Sequence, residues 1–374
     1  MQINSDFILV RTKDGFTVQT KNCKNSFLLK STEYYEELAC LVEALKAEGW
    51  WNSEGRISIS NKSPELINYF ERLFAEHKIT AHKNALIKIK IPPLWIEKEK
   101  IRVVKNGNLK KFHFGKNGFT KELDTVVFTD KAESAEYFLE YEQEKLDFKT
   151  LVSEEELSTN SKDARIYLDV RASNKTFVKF VNFVLKEKTN SLEIRVNEEL
   201  KKASPELVAK VFGCLIDCEG SIRHTGFTRY VYTRMKNREY LEDWHCLLEK
   251  MGINSRIGKA DKGLTGLTIT CNQNFSKLEK LGFVLRHKTK RQRFKEIVES
   301  YKRHQLRRNT ALDIYLAKVR ENPNTSALDL SKIVKKDKRT VSHYLKRLTD
   351  KGKVKTRAVG QKYLYSSLEN AAKA

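Results

Sequence analysis

What most constrains this chain is an internal repeat. Over 33–49, Leu38, Leu41, Val42 and Leu45 recur at i, i+3, i+4 and i+7, the single apolar face of a helix. An alternating strand follows at Arg56 to Ser60. Next comes a helix from Glu65 to His77 with Ser63 as N-cap and Pro64 at its first position. In Ala85 to Ile91, period two then puts Ile87, Ile89 and Ile91 on one face and Lys88 and Lys90 on the other. The same order returns later. Ser204 and Pro205 open a helix that carries Val208, Val211, Phe212 and Leu215 and ends at Gly220. A strand over Phe227 to Arg234, a helix from Arg238 to Met251, a strand Thr265 to Thr270 and a helix near Phe275 to Leu281 complete the copy. Two copies predict two related subdomains with approximate twofold symmetry. A stacked-repeat solenoid needs more units than two.

The flanks carry other patterns. FILVRT, FTVQT and SFLLK in the first thirty residues predict short strands. Between 100 and 160 hairpin strands are expected around IRVVKNGNLKKFHFG, then an acidic helical stretch from Ala132 to Phe148, ending in the run Glu154 to Glu156. A strand–helix–strand unit follows: Arg165 to Arg171 with Ile166, Leu168 and Val170 inward, a helix over Lys175 to Lys188, and a strand with Leu192, Ile194 and Val196. The expected domains are 1–100, the first subdomain with its N-terminal strands; 101–200, an insertion or linker; 201–305, the second subdomain; and 310–374. That last segment reads as helices Ala311 to Glu321, Leu328 to Val334 and Lys338 to Asp350, then two strands flanking Gly360, the order of a winged helix. In its third helix Val341, Leu345 and Leu348 face inward. Arg339, Ser342, His343, Lys346 and Arg347 are left outside, a face suited to a major groove, with Arg357 and Lys362 in the hairpin near phosphates. A three-helix module used only for protein contacts is the alternative.

Charge narrows the partner. The net charge is +23, and nearly all of the excess lies beyond residue 200. Arg286 to Arg308 is dense in Lys and Arg, with only Glu296 and Glu299 against them. Such a surface attracts polyanions, nucleic acid above all, although charge alone separates neither DNA from RNA nor either from a solvated Lys-rich surface. With 40% hydrophobic residues the chain has the apolar content to fold. No stretch approaches the ~20 apolar residues of a membrane helix, and the start has no secretory pattern, so a soluble cytoplasmic protein without membrane contact is expected. The six cysteines form no CxxC, which argues against a zinc ribbon or a redox pair.

Phe212-Gly213-Cys214-Leu215-Ile216-Asp217-Cys218-Glu219-Gly220 closely resembles the nine-residue LAGLIDADG motif of homing endonucleases. Positions four, five, six and nine match outright, small residues stand at two, three and seven, and an acid at eight. Leu41 to Gly49 is a weaker first copy, keeping Leu41, Ala47, Glu48 and Gly49. The resemblance implies an α+β fold in which two pseudo-symmetric αββαββα subdomains form a DNA-binding saddle, with the winged helix as an addition. It implies that the motif helices pack side by side, Ala44 and Ala47 against Gly213, Cys214 and Cys218. It also implies that Glu48 and Glu219 are catalytic acids that bind Mg²⁺ or Mn²⁺ beside the scissile phosphates, a task for which carboxylate oxygens are suitable hard ligands. Lys288 or Lys290, and in the first copy Lys98 or Lys100, correspond to basic residues near the family's active centre. DNA contacts are then expected from Arg56, Ser58, Lys88 and Lys90, and from Thr228, Arg229, Tyr230, Tyr232, Arg234, Thr268 and Thr270. Glu43 and Lys46 are the residues least expected at a tight helix interface, because charge there is costly unless paired. Starting at Met1 and lacking a splicing Cys or His-Asn end, the chain reads as freestanding rather than intein-borne. The implied function is a monomeric, Mg²⁺-dependent, site-specific endonuclease making a staggered cut in double-stranded DNA across the minor groove. A non-cleaving DNA-binding regulator and an RNA-splicing maturase are the alternatives.

Overall fold

The computed structural model describes residues 1, 3, 6–92, 95, 101–110, 120–122, 124–225, 228–300, 310–334, 336–360 and 362–368. Two compact units divide the chain, Met1–Arg223 with Arg229–Val298 and His224–Thr228 with Glu299–Ala374.

Three antiparallel strands open the first unit: β1 (Phe7–Thr12), β2 (Gly15–Thr20) and β3 (Phe27–Leu29). The first repeat follows as α1 (Glu36–Glu48), β4 (Gly49–Trp51), β5 (Arg56–Asn61), α2 (Pro64–Glu76) and β6 (Ala81–Lys90). Among the described residues seven strands then intervene: β7 (Arg102–Lys105), β8 (Asn108–Lys110), β9 (Thr120–Glu122), β10 (Thr125–Lys131), β11 (Ala135–Tyr141), β12 (Glu144–Val152) and β13 (Leu157–Thr159). Only afterwards does the repeat finish, with β14 (Ala164–Ser173) and α3 (Lys175–Phe183). A short α4 (Glu198–Lys201) leads into the second repeat, α5 (Pro205–Glu219), β15 (Gly220–Thr225), β16 (Thr228–Met235), α6 (Arg238–Lys250), β17 (Ser255–Lys259), β18 (Thr265–Ile269) and α7 (Asn272–Lys280), and α8 (Lys288–Ser300) follows it.

Both repeats therefore run αββαββα, and their sheets share one order, β4-β5-β14-β6 and β15-β16-β18-β17. Each second helix begins as its sequence dictates. Ser63 and Asn237 cap α2 and α6 by accepting the N–H of Leu66 and Tyr240. Leu66, Phe70 and Phe74 of α2 are buried under the first sheet. The inserted segment is a β-sandwich. Strands β10 and β9 lengthen the first sheet beyond β6 to six strands, and a second sheet, β13-β12-β11-β7-β8, packs over that end. Ile87, Ile89, Trp95, Phe128, Tyr137 and Phe148 share its core.

Three expectations change here. The strand expected at 165–171 and the helix after it are β14 and α3, and β14 pairs with both β5 and β6 (Val170 with Ile59, Ile166 with Ile87), so they complete the first repeat. Residues 192–196 form no strand, because the Val196 N–H is taken by the Asp243 carboxylate rather than by a neighbouring backbone. The acidic stretch 132–148 is the hairpin of β11 and β12, not a helix. Ala135, Tyr137 and Leu139 point into the core in alternation with Glu136, Phe138 and Glu140, and Glu142 at φ 54° turns the chain.

The second unit holds α9 (Ala311–Glu321), β19 (Thr325–Ser326), α10 (Ala327–Ile333), α11 (Lys338–Asp350), β20 (Val354–Val359) and β21 (Lys362–Ser367), with sheet order β19-β21-β20. Tyr315, Val319, Leu330, Val341, Leu345 and Leu348 form its core. Among the described residues no helix is long and apolar enough to cross a membrane.

Candidate nucleic-acid interface and its acidic centre

Helices α1 and α5 pack against one another. Their contact is made by small, fully buried side chains: Cys40 and Ala44 on one, Cys214 on the other, with the Cys214 thiol donating to the Cys40 carbonyl at 3.4 Å. Gly213 does not belong to this contact. A Cβ there would lie 2.3 Å from the Val284 carbonyl oxygen, so this glycine admits the segment before α8. Gly49 and Gly220 end the two helices alike. At Gly49 a Cβ would meet Leu45 Cα and the Ser58 carbonyl at 2.9 Å, and at Gly220 it would meet Ile216 Cα at 2.7 Å. Each helix thus turns straight into its first strand, and the residue before the turn, Glu48 or Glu219, is delivered to the junction of helix and sheet.

The electrostatics tie these two acids together. Burial, and then the Glu219 charge, push the Glu48 carboxyl up to about 8, against Lys290 and an N–H from Asn61 at 3.1 Å. Desolvation raises Glu219 too, and Lys290 opposes it. Burial lowers Lys290, which donates to the Ile216 and Asp217 carbonyls at 2.9 and 2.7 Å and so caps the last turn of α5. Asp217 is buried, accepts the N–H groups of Arg286 and His287, and anchors the start of α8; burial pushes its carboxyl up to about 6. Lys290 is therefore at the centre. Lys288 is not: its side chain is exposed, 3.9 Å from Glu155. Lys98 and Lys100 lie outside the described residues.

Glu43 and Lys46 are paired, which is why the interface tolerates them. The Lys46 ammonium lies 3.5 Å from Glu43 and 3.2 Å from Glu187, and also donates to the Arg195 carbonyl. Glu43 accepts the hydroxyl of Tyr240 on α6, and Asn197 donates to Glu187 at 2.8 Å. This buried cluster joins the first repeat to the second and keeps Glu43 committed away from Glu48.

Strand register sorts the remaining candidates. On the first sheet Ile57, Ile59, Ile87, Ile166 and Val170 share the inner face, which leaves Arg56, Ser58, Lys88 and Lys90 on the outer face. Ser58, however, is buried, donating to Asp169. A hollow of about 450 Å³ lined by Glu48, Ser60, Asn61, Lys62, Leu86, Lys88 and Tyr167 links this face to the acidic centre. On the second sheet Tyr230, Tyr232, Arg234 and Thr268 share the outer face, and Thr270 lies just past β18. Arg229 alternates with Tyr230 and lies on the opposite face. Four outer-face residues were overlooked from sequence: Arg165, Tyr167, Asp169 and Arg171 of β14. Their signal was present, since Ile166, Leu168 and Val170 were recognised as inward. In the second unit Arg339, His343, Lys346 and Arg347 of α11 are exposed, Ser342 is half-buried beside them, and Arg357 is exposed on β20. Lys362 opens β21, paired with Val359.

Residues 206–282 match the family model of the LAGLIDADG-like domain. This chain carries a LAGLIDADG-like domain. Residues 316–355 match the winged helix-turn-helix DNA-binding model. No curated protein matches the chain. Among solved structures it is similar to I-DmoI in complex with DNA and Mn, at 14% identity over 66% of this chain and 96% of that one, TM-score 0.33. It is also similar to full-length DUF199/WhiA from Thermatoga maritima, at 12% identity over 84% and 90%, TM-score 0.36. The family match covers the second repeat of the LAGLIDADG-like fold, and the first repeat shows the same element and strand order around its insertion.

Proposed function

We propose that the chain is a site-specific endonuclease that hydrolyses both strands of double-stranded DNA with Mg²⁺ or Mn²⁺. The observation that carries this reading is the pair of carboxylates, Glu48 and Glu219, at equivalent helix ends, close enough for one to raise the other's proton affinity. Their chemistry suits a hard dication. Two oxygen donors that repel each other gain from a cation between them, and among the described residues no cluster of three His, Cys, Asp or Glu side chains offers a fuller cage. Water and DNA phosphates are left to complete the shell. A bound dication would supply an activated water and a counter-charge for the leaving oxygen. The chain's own groups do the rest. Glu48 and Glu219 hold the site at the junction of the two sheets, Asn61 orients Glu48, and Lys290 fixes the end of α5 while contributing a positive charge. The outer sheet faces position the duplex.

The winged helix favours a second reading, a DNA-binding regulator that does not cut, since the exposed basic face of α11 suffices for binding. Mapping the ends produced in genomic DNA by the full chain with Mg²⁺ separates the two, with EDTA and Glu219→Gln as controls. Paired ends recurring at one sequence and absent from both controls are the expected result. Absence of ends from wild type, with wild type and Glu219→Gln still retaining the same DNA, would refute cleavage and leave the regulator.

A further inference from the structure

Arg171 stands on the central strand β14 of the first sheet, its Cα paired with Ser58 on β5 and His82 on β6. Its guanidinium is held at two points. Nε–H donates to the Asp169 carboxylate, and an NH2 proton donates to the Thr129 hydroxyl at 3.1 Å. Asp169 is itself buried, 1% exposed, and its other oxygen accepts the hydroxyls of Ser58 and Ser60. Thr129 belongs to β10, a strand that the insertion adds to this sheet.

An exposed ion pair contributes little by itself, whereas a buried carboxylate must be fully satisfied to be tolerated. Here three side chains from two strands settle one carboxylate, and that carboxylate and a threonine aim one arginine. Arg171 keeps 45% of its side chain in solvent. Of the five guanidinium N–H donors two are engaged within the sheet, and three are left over. A planar fork already fixed in place loses little freedom when it meets its acceptor pair. On its own rung the neighbours are Trp50, Ser58 and His82, with no other Lys or Arg. That separates Arg171 from Lys88 and Lys90, whose compact ammonium point charges suit phosphate.

We propose that Arg171 is a specificity-determining residue that reads one guanine through its O6 and N7 in the major groove, and that Asp169 and Thr129 are positioning residues for it. This rests on the DNA-binding part of the proposed function and is independent of cleavage. The test is selection of bound duplexes from a random library by the full chain in EDTA, with wild type, Arg171→Gln and Thr129→Ala. Wild type should enrich a motif holding one guanine that Arg171→Gln no longer demands, with discrimination there falling roughly 5- to 150-fold and other positions unchanged. Thr129→Ala should relax the same position in part. Uniform weakening over all sequences, with the salt slope reduced by about one, would make Arg171 a phosphate contact and overturn the proposal. An unchanged motif in Arg171→Gln would overturn it too. Failure of wild type to enrich any motif would refute sequence reading altogether, an outcome distinct from either.

Discussion

Replacing Lys46 with methionine removes the one ammonium from a cluster whose side chains are 1% (Lys46), 1% (Glu43) and 4% (Glu187) exposed. Two carboxyls are then left in the protein interior with Tyr240 and Asn197 as their remaining partners. Breaking a buried pair in this way costs about 3–5 kcal/mol. Glu43 can escape by taking up a proton, so the loss depends on pH, and the sign is fixed by the direction of its shift. Burial already holds the Glu43 carboxyl above its unfolded value of ~4.3, and losing the opposing Lys46 charge moves it further in the same direction. Folded protein therefore binds more protons than unfolded, and stability falls as pH rises from there, by about 1.4 kcal/mol per pH unit while Glu43 is still protonated. The full penalty is expected at pH 8 and most of it is absent at pH 5. Glu43→Gln should cost far less at pH 7, because burial already pushes the Glu43 carboxyl up and an amide can still accept from Tyr240. Urea unfolding followed by tryptophan fluorescence measures this directly, since Trp50, Trp51, Trp95 and Trp244 all belong to the first compact unit. A Lys46→Met loss under ~1 kcal/mol at pH 8, or one that does not shrink on acidification, would refute the reasoning.

Gly213→Ala sets a methyl 2.3 Å from the Val284 carbonyl, and overpacking of this kind costs about 1–3 kcal/mol, visible in the same urea titration. His77 is buried, its Nδ1–H donating to the Leu73 carbonyl and its Nε2 accepting from the Tyr35 hydroxyl, and burial lowers its pKa. The neutral ring thus contributes stability above ~6.5 that is lost as pH falls through the depressed folded value, so the gap between wild type and His77→Gln should narrow from pH 7.5 to 5. Removing 310–374 should weaken DNA binding and flatten its dependence on salt without moving the cut sites; filter binding at several salt concentrations and end-mapping would show whether it does.

The second repeat was legible because each of its signals is local. A Ser-Pro cap, a 3.6-residue apolar stripe and a terminal Gly lie within 204–220, and strand, helix and strand follow at short range. The first repeat was legible only as far as β6. Its fourth strand lies beyond β7 to β13, and Ile166, Leu168 and Val170 show a strand without showing which sheet accepts it. Pairing at such a distance is a tertiary fact. The hairpin of β11 and β12 was misread for a different reason: its turn uses Glu142 in a left-handed conformation where Gly or Asn is usual, so nothing in the local sequence announces it. Glu48 and Glu219 were identified from motif positions, whereas the commitment of Lys290 to carbonyls of α5 and of Glu43 to Tyr240 required the packed structure. Asp169 and Arg171 fell within a stretch regarded as linker, although their alternation placed them on the outer face.

The Lys90 N–H donates to the Asp163 carbonyl at 2.8 Å, so the inserted sandwich leaves the first sheet and returns to it at one point. Its counterpart in the second repeat is the short connection 260–264 between β17 and β18. For an unstructured chain, closing 91–163 would cost about 2 kcal/mol more than closing the short link. The insert does not remove that difference by folding first, because β6 and β14 are strands of its own sandwich and Ile87, Ile89 and Ile166 belong to the shared core. The first sheet therefore has a kinetic dependence that its twin lacks: its closure and the folding of the guest between its strands are one event. Two halves that match in architecture differ in contact order, and assembly is expected to run from the second half to the first.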